Sequence, residues 1–177
     1  MERVYQIGDY YDDGVKQGVV VEVDGLHGKI VSLQQHFCGW AMGLEAVRSE
    51  IGSYDKCDGA KNQAIAMEQD CWQERYPAFA FCASLGEGWY LPTLAEMRAF
   101  TVDNLPVLNA VNERLEQIGA PIIKGEYWTS NECGYFDYDE QYLVAMVLIE
   151  EFKRPWINRV RETEKGEAGY ARAVARF

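Results

Sequence analysis

The residues whose types and spacing could do chemistry cluster between 131 and 142, in NECGYFDYDEQY. Tyr135, Phe136, Tyr138 and Tyr142 stand there among Glu132, Asp137, Asp139 and Glu140. Aromatic faces stack on sugar rings or grip a protein partner, and carboxylates accept hydrogen bonds from hydroxyls. The chemistry is that of recognition. Glu132, Tyr135, Asp137, Tyr138 and Asp139 are therefore the candidate ligand-binding residues. A second candidate is the basic patch of KRPWINRVRE, with Arg154, Arg159 and Arg161 in an otherwise acidic chain. Arg159 and Arg161 could take an anionic ligand such as a sulfated glycan. They could equally close into surface salt bridges, which contribute little. Trp156 is either a core plug or a stacking platform.

Other residues with chemical potential are read as structural. Asp9, Asp12 and Asp13 in GDYYDDG have the composition of a turn that opens a strand. The carboxylates of 131–142 lack the spacing of an EF-hand loop, and no metal or other cofactor is expected. His27 and His36 are the only histidines. His27 falls in a hairpin turn. A nucleophilic pair of His36 with Cys38 would need a buried orienting group and an oxyanion hole, and neither is signalled. The five cysteines, Cys38, Cys57, Cys71, Cys82 and Cys133, contain no CxxC pair. Either a disulfide or two forms in an exported chain, or the thiols serve as small buried hydrophobes.

Around these residues the pattern is of mixed helix and strand. Residues 17–23, QGVVVEV, run into Asp24-Gly25, a hairpin signal, with 28–33 as the returning strand. Residues 34–59 read as irregular loop. A helix begins near Ala60, with Ala60, Ala64, Met67 and Cys71 on one face. Pro77 opens a second, nearly all-apolar helical piece that Gly86 stops. In GWYLPTLAEM the strand Trp89-Tyr90-Leu91 must end at Pro92, which cannot donate to a ladder. Thr93 and Glu96 then form a capping box for a helix buried through Leu94, Met97 and Phe100. A further helix is expected over 105–118, with Leu108, Val111, Leu115 and Ile118 as its stripe. Strands are expected at 126–130 and 141–150, although helix competes for the second apolar run. Residues 169–177, GYARAVARF, read as one final strand.

The chain has 177 residues and is 48% hydrophobic and 13% aromatic, enough for a packed core in one domain spanning 1–177. Its net charge of -11 opposes binding to nucleic acid. No apolar run is long enough to insert into a membrane. The N-terminus lacks the basic and apolar regions of a signal peptide, so none is expected in this chain.

The matches Trp89, Leu91, Pro92, Thr93, Glu96 and Met97, then Tyr127, Trp128, Thr129 and Ser130, then Arg172, Val174, Arg176 and Phe177, occur in a particular order. In that order the chain resembles the bacterial domain at the C-terminus of Lcl-type collagen-like adhesins, in a subgroup typical of Bacteroides-type proteins. The resemblance implies an α+β, C-type-lectin-like fold with small antiparallel sheets, two main helices plus a shorter one, and a loop-rich ligand face. It also implies a secreted or cell-surface setting. The tripeptides of calcium-dependent sugar-binding lectins are absent. The reading that follows is a non-catalytic module binding a glycan or protein in adhesion. The alternatives are a structural or assembly subunit of a surface organelle and, further off, an enzyme related to the formylglycine-generating fold.

Overall fold

A valine-rich run and a tight turn set the first layer. The computed structural model describes residues 4–136, 141–149 and 159–177. Strands β1 (Tyr10–Asp12), β2 (Gln17–Asp24) and β3 (His27–Ser32) form an antiparallel meander. Its second turn places Gly25 at φ 64°, a conformation that side chains resist. The chain continues through β4 (His36–Gly39), α1 (Leu44–Arg48), α2 (Gly59–Met67), α3 (Trp72–Arg75), α4 (Pro77–Ser84) and β5 (Trp89–Tyr90). Then come α5 (Leu94–Ala99), α6 (Leu105–Gln117), β6 (Gly125–Phe136), β7 (Gln141–Ile149), β8 (Val160–Glu164), β9 (Ala168–Ala171) and β10 (Val174–Arg176). These strands make two five-stranded sheets, ordered β1-β2-β3-β10-β5 and β4-β9-β6-β7-β8. The molecule is thus α+β. Among the described residues all pairings are antiparallel except β6 with β9, which run parallel at Tyr127 and Tyr170.

The sheets are covered on both faces, and this explains the unbroken apolar runs. Val20 packs into one buried cluster with Ile30, Trp40, Phe79 and Trp128, while its neighbours Val19 and Val21 pack into a second with Met97, Leu108, Val111 and Tyr127. In β7, Val144 and Met146 join the first cluster, and Val147 and Ile149 the second. A strand buried on both sides has no polar face to alternate with, which is why 141–149 could also be read as helix; the residues form strand.

Several expectations are corrected. Residues 34–59 are not all irregular, since β4 and α1 lie within them. The face of α2 that is buried carries Gly59, Asn62, Gln63 and Ala66, not the Ala60/Ala64/Met67 stripe, and Met67 is exposed. Polar side chains point inward because each has a partner: Gln63 donates to the Phe79 carbonyl and accepts from the Leu91 amide, and Asn62 donates to Ser130 Oγ. Ile118 lies beyond α6 and is exposed. The closing segment is two strands in different sheets, β9 and β10, because the chain crosses from one sheet to the other at Arg172 and Ala173. The described residues carry six helices, against the four read from the residues and the three that the resemblance implies.

The WYLPT joint forms as its residues dictate. β5 pairs with β10 at Tyr90 and Val174, and the Pro92 carbonyl, free to accept, takes the Ser130 amide at 2.8 Å. Thr93 Oγ1 accepts the Glu96 amide and Glu96 accepts the Thr93 amide, which completes the capping box. The buried Glu96 carboxylate does more. It accepts from the Gly59 amide at the start of α2 and from the Tyr90 hydroxyl, and it pairs with Lys29 at 3.3 Å. One carboxylate therefore fixes two helix starts against the first sheet, where helix N-termini favour negative charge.

Candidate functional site

The arm from Tyr127 to Phe136 begins in the core and ends at the surface. Trp128 and Tyr127 are fully buried on opposite faces of the sheet. Between Trp128 and Glu132 the pairing of β6 with β7 breaks in a bulge. The residues released there turn to other partners. Ser130 Oγ accepts from Asn62, Asn131 Oδ1 accepts the Leu94 amide at 2.7 Å, and Asn131 Nδ2 donates to the Asp55 carbonyl at 2.7 Å. Bulges re-aim side chains, and this one docks the 53–58 loop and α5 onto β6.

Glu132 follows the bulge and turns inward. Its carboxylate accepts the backbone amides of Ile51, Gly52 and Ser53. It pairs with the Lys165 ammonium, which also donates to the Ser49 carbonyl and lies over the Trp40 ring. Both side chains are shielded from solvent, with 0% exposure each. Burial is the first influence on Lys165 and drives its pKa below the usual lysine range, against the pull of Glu132. The candidate Glu132 is therefore engaged in holding the 49–53 loop.

The other candidates are dispersed. Tyr135 lies near the end of β6, while Asp137, Tyr138 and Asp139 fall outside the described residues. Arg161 donates to Glu126 at 2.8 Å and Glu167 at 3.1 Å, and Arg159 donates to the Val102 carbonyl. Of the basic patch, Arg161 is thus neutralised in a surface network, and Arg154 lies outside the described residues. His27 is exposed at the β2–β3 turn, and His36 stacks on Phe81. Burial pushes the Cys38 thiol up to about 12, so it stays protonated at neutral pH.

A cavity of about 730 Å³ opens between α5, the 54–56 loop and the strands β6 and β8. Leu94, Ala95 and Ala99 form an apolar wall, with Tyr54, Cys133 and Glu162 around it. Tyr54 is 43% exposed and its hydroxyl bonds the Glu50 carboxylate. Burial and then that bond push its pKa up. At the rim, Arg98 grips Asp103 with two bonds of 2.9 Å. Such a site suits an apolar or sugar-ring surface against Tyr54 with hydroxyl or amide contacts at the rim. Tyr54 and Arg98 were not among the sequence candidates. An aromatic set among turn formers in GSYDKCDG was the one signal available, because Arg98 reaches the cavity only through the packing of α5. Among the described residues no group of three or more His, Cys, Asp or Glu is placed to hold a metal ion. No described helix is long and apolar enough to cross a membrane.

The fold is similar to that of a fimbrial protein from Bacteroides ovatus, with a TM-score of 0.63 and 15% identity over 98% of this chain and 49% of that one. At that identity the likeness is one of fold, and the chain spans about half the length of that protein. No protein-family model matches the chain, and no curated protein matches it.

Proposed function

We propose that this chain is a non-catalytic structural or assembly unit of a surface organelle of the fimbrial kind. The observation that carries the reading is the likeness to a Bacteroides fimbrial protein along 98% of the chain. The sheet edges are in keeping with it. β4 ends its sheet, pairs with β9 among the described residues, and exposes Phe37. An added strand from a partner gains main-chain hydrogen bonds at such an edge. The setting in this reading is the cell surface. The collagen-like-adhesin kinship and the C-type-lectin-like architecture belong to the same proposal.

The test is to shear surface filaments from cells that make the protein and probe the fractions for this chain. In an assembly role it co-purifies with high-mass filaments and decorates them in immunoelectron microscopy. Recovery solely as a free monomer, or solely from the cell interior, would overturn the reading. The 730 Å³ cavity with its exposed Tyr54 favours a second reading, a module that binds a glycan or protein ligand. A glycan array with wild type and Tyr54→Ala tests it, and binding unaffected by the substitution would remove the cavity from consideration.

A further inference from the structure

We propose that Cys38 and Cys82 form an oxidisable thiol pair that closes into a disulfide and ties the edge strand β4 to helix α4. Side-chain direction carries the inference. Alternate residues of a strand face one side, and His36, two residues before Cys38, and Trp40, one residue past the end of β4, both meet α4 or its cap. The His36 ring stacks on Phe81 at 5.6 Å, while Trp40 meets Phe79 at 5.0 Å and Tyr76 at 5.8 Å. Cys38, midway between them, faces the same helix. Cys82 lies three residues after Phe79, on the same helical face, and is fully buried in the cluster against which Cys38 packs. In register beside Cys38 on β9 stands Gly169, and the space its missing side chain leaves is filled by Met146 and the Trp128 ring, members of the same buried cluster as Cys82. An electrostatic trace agrees with this placement: burial first, and then the Cys38 thiol, push Cys82 well above the ordinary thiol range. All five thiols are free in this structure; Cys38 is half-buried and Cys82 buried, whereas Cys57 before α2, Cys71 before α3 and Cys133 on β6 are exposed.

The chemistry needs an oxidant of the disulfide class, such as oxidised glutathione. Cys38, the more accessible sulfur, attacks it as thiolate and forms a mixed disulfide, releasing one glutathione thiolate. Cys82 then attacks the Cys38 sulfur, the protein S–S bond forms, and the second glutathione leaves. The pair gives up two protons and two electrons, and the oxidant accepts both as two thiols. Both protein thiols are held protonated in the folded state, Cys38 up to about 12, so exchange is slow there. The bridge forms as the chain folds. It then resists reduction until the α4–β4 contact opens. The inference is independent of the assembly reading.

The experiment uses the whole chain, reduced and unfolded, then refolded in a mixture of oxidised and reduced glutathione. Remaining thiols are alkylated and the peptides mapped by mass spectrometry. The expected result is a linked Cys38–Cys82 peptide, with Cys57, Cys71 and Cys133 alkylated. Cys38 and Cys82 both alkylated, or bridged only to other cysteines, would overturn the proposal. A second measurement uses a variant with the exposed Cys57, Cys71 and Cys133 replaced by serine. Its thiol titre in denaturant should fall from two to zero on oxidation, and its Tm should rise by roughly 5–15 °C. A titre that stays at two, in a variant that folds, refutes the pair.

Discussion

Replacing Arg172 by methionine should destabilise the fold by about 3 kcal/mol, and the reason lies in where the chain changes sheets. Arg172 is fully buried between β9 in one sheet and β10 in the other. Its guanidinium donates to the Ser32 carbonyl at 2.9 Å, the Leu33 carbonyl at 3.2 Å, the Pro121 carbonyl at 2.7 Å and Gln35 Oε1 at 3.1 Å. Three of these acceptors belong to the crossing from β3 to β4, so one side chain stitches two of the passages between the sheets. No carboxylate pairs with it among the described residues, and burial draws its pKa below the usual arginine range. Methionine fills much of the volume but removes the guanidinium from three backbone carbonyls, while Gln35 Oε1 keeps the Tyr127 hydroxyl. The Ser32 carbonyl is buried and loses about 1–3 kcal/mol, while the Leu33 and Pro121 carbonyls, nearer the surface, recover part of theirs from water. Relief from burying a cation offsets some of the loss, which leaves about 3 kcal/mol.

Urea unfolding should show this as a lower midpoint with an unchanged slope, and thermal unfolding as a Tm lower by about 6–12 °C. A loss below about 1 kcal/mol would mean that the desolvation of the guanidinium cancels its bonds, and would refute the reasoning. Arg172→Lys supplies a further check, because one ammonium cannot reach four separated acceptors. Burial lowers the pKa of a lysine, so the unfolded state then binds more protons than the folded one. The stability of the lysine variant should therefore rise with pH up to about 10 more steeply than that of Arg172→Met, in which the buried Lys165 supplies the same kind of slope but no second lysine adds to it.

Two more predictions follow from buried polar groups. Gly59→Ala should cost about 2–3 kcal/mol in urea unfolding, because its Cβ would lie 2.5 Å from the Leu91 carbonyl oxygen and 2.9 Å from the Glu96 carboxylate; a neutral effect would show that α2 slides freely against the joint. In alkali, Tyr11, held up to about 12, and Tyr54, Tyr76, Tyr90 and Tyr127, all raised chiefly by burial, stay neutral in the fold. Unfolded tyrosines ionise near pH 10, so this stabilisation is complete below about pH 10 and is lost as pH rises through the folded values. Phenolate absorbance of these five should therefore appear together with loss of circular dichroism, and smooth titration of all 11 tyrosines in a chain that keeps its native spectrum would refute it.

The features legible in the sequence are those that depend on neighbours a few residues away. The Thr93/Glu96 box, the stop at Pro92, the Pro77 helix start and the 24–25 turn each rest on contacts within about one helical turn, and all appear in the structure. The inward Asn62 and Gln63 were not legible, because a polar residue is buried only where a distant chain segment supplies its partner. Glu132 reads as a surface acid for the same cause. Its lysine stands at 165 and its three amides at 51–53, and the bulge that turns it inward exists only once β6 meets β7. The cavity beside Tyr54 likewise arises from five segments packed together.

The sequence by itself therefore determined the types of β2, β3, α2, α4, β5, α5 and α6, several of their ends and an α+β composition, through periodicity and capping that act locally; it did not show β1, β4, α1, α3 or β8. Only the tertiary structure decided that GYARAVARF divides between two sheets, because Arg172 finds its four acceptors in segments as distant as residues 32–35 and 121. It alone decided which acids face water and which thiols are buried, since burial and pairing are properties of the assembled layers.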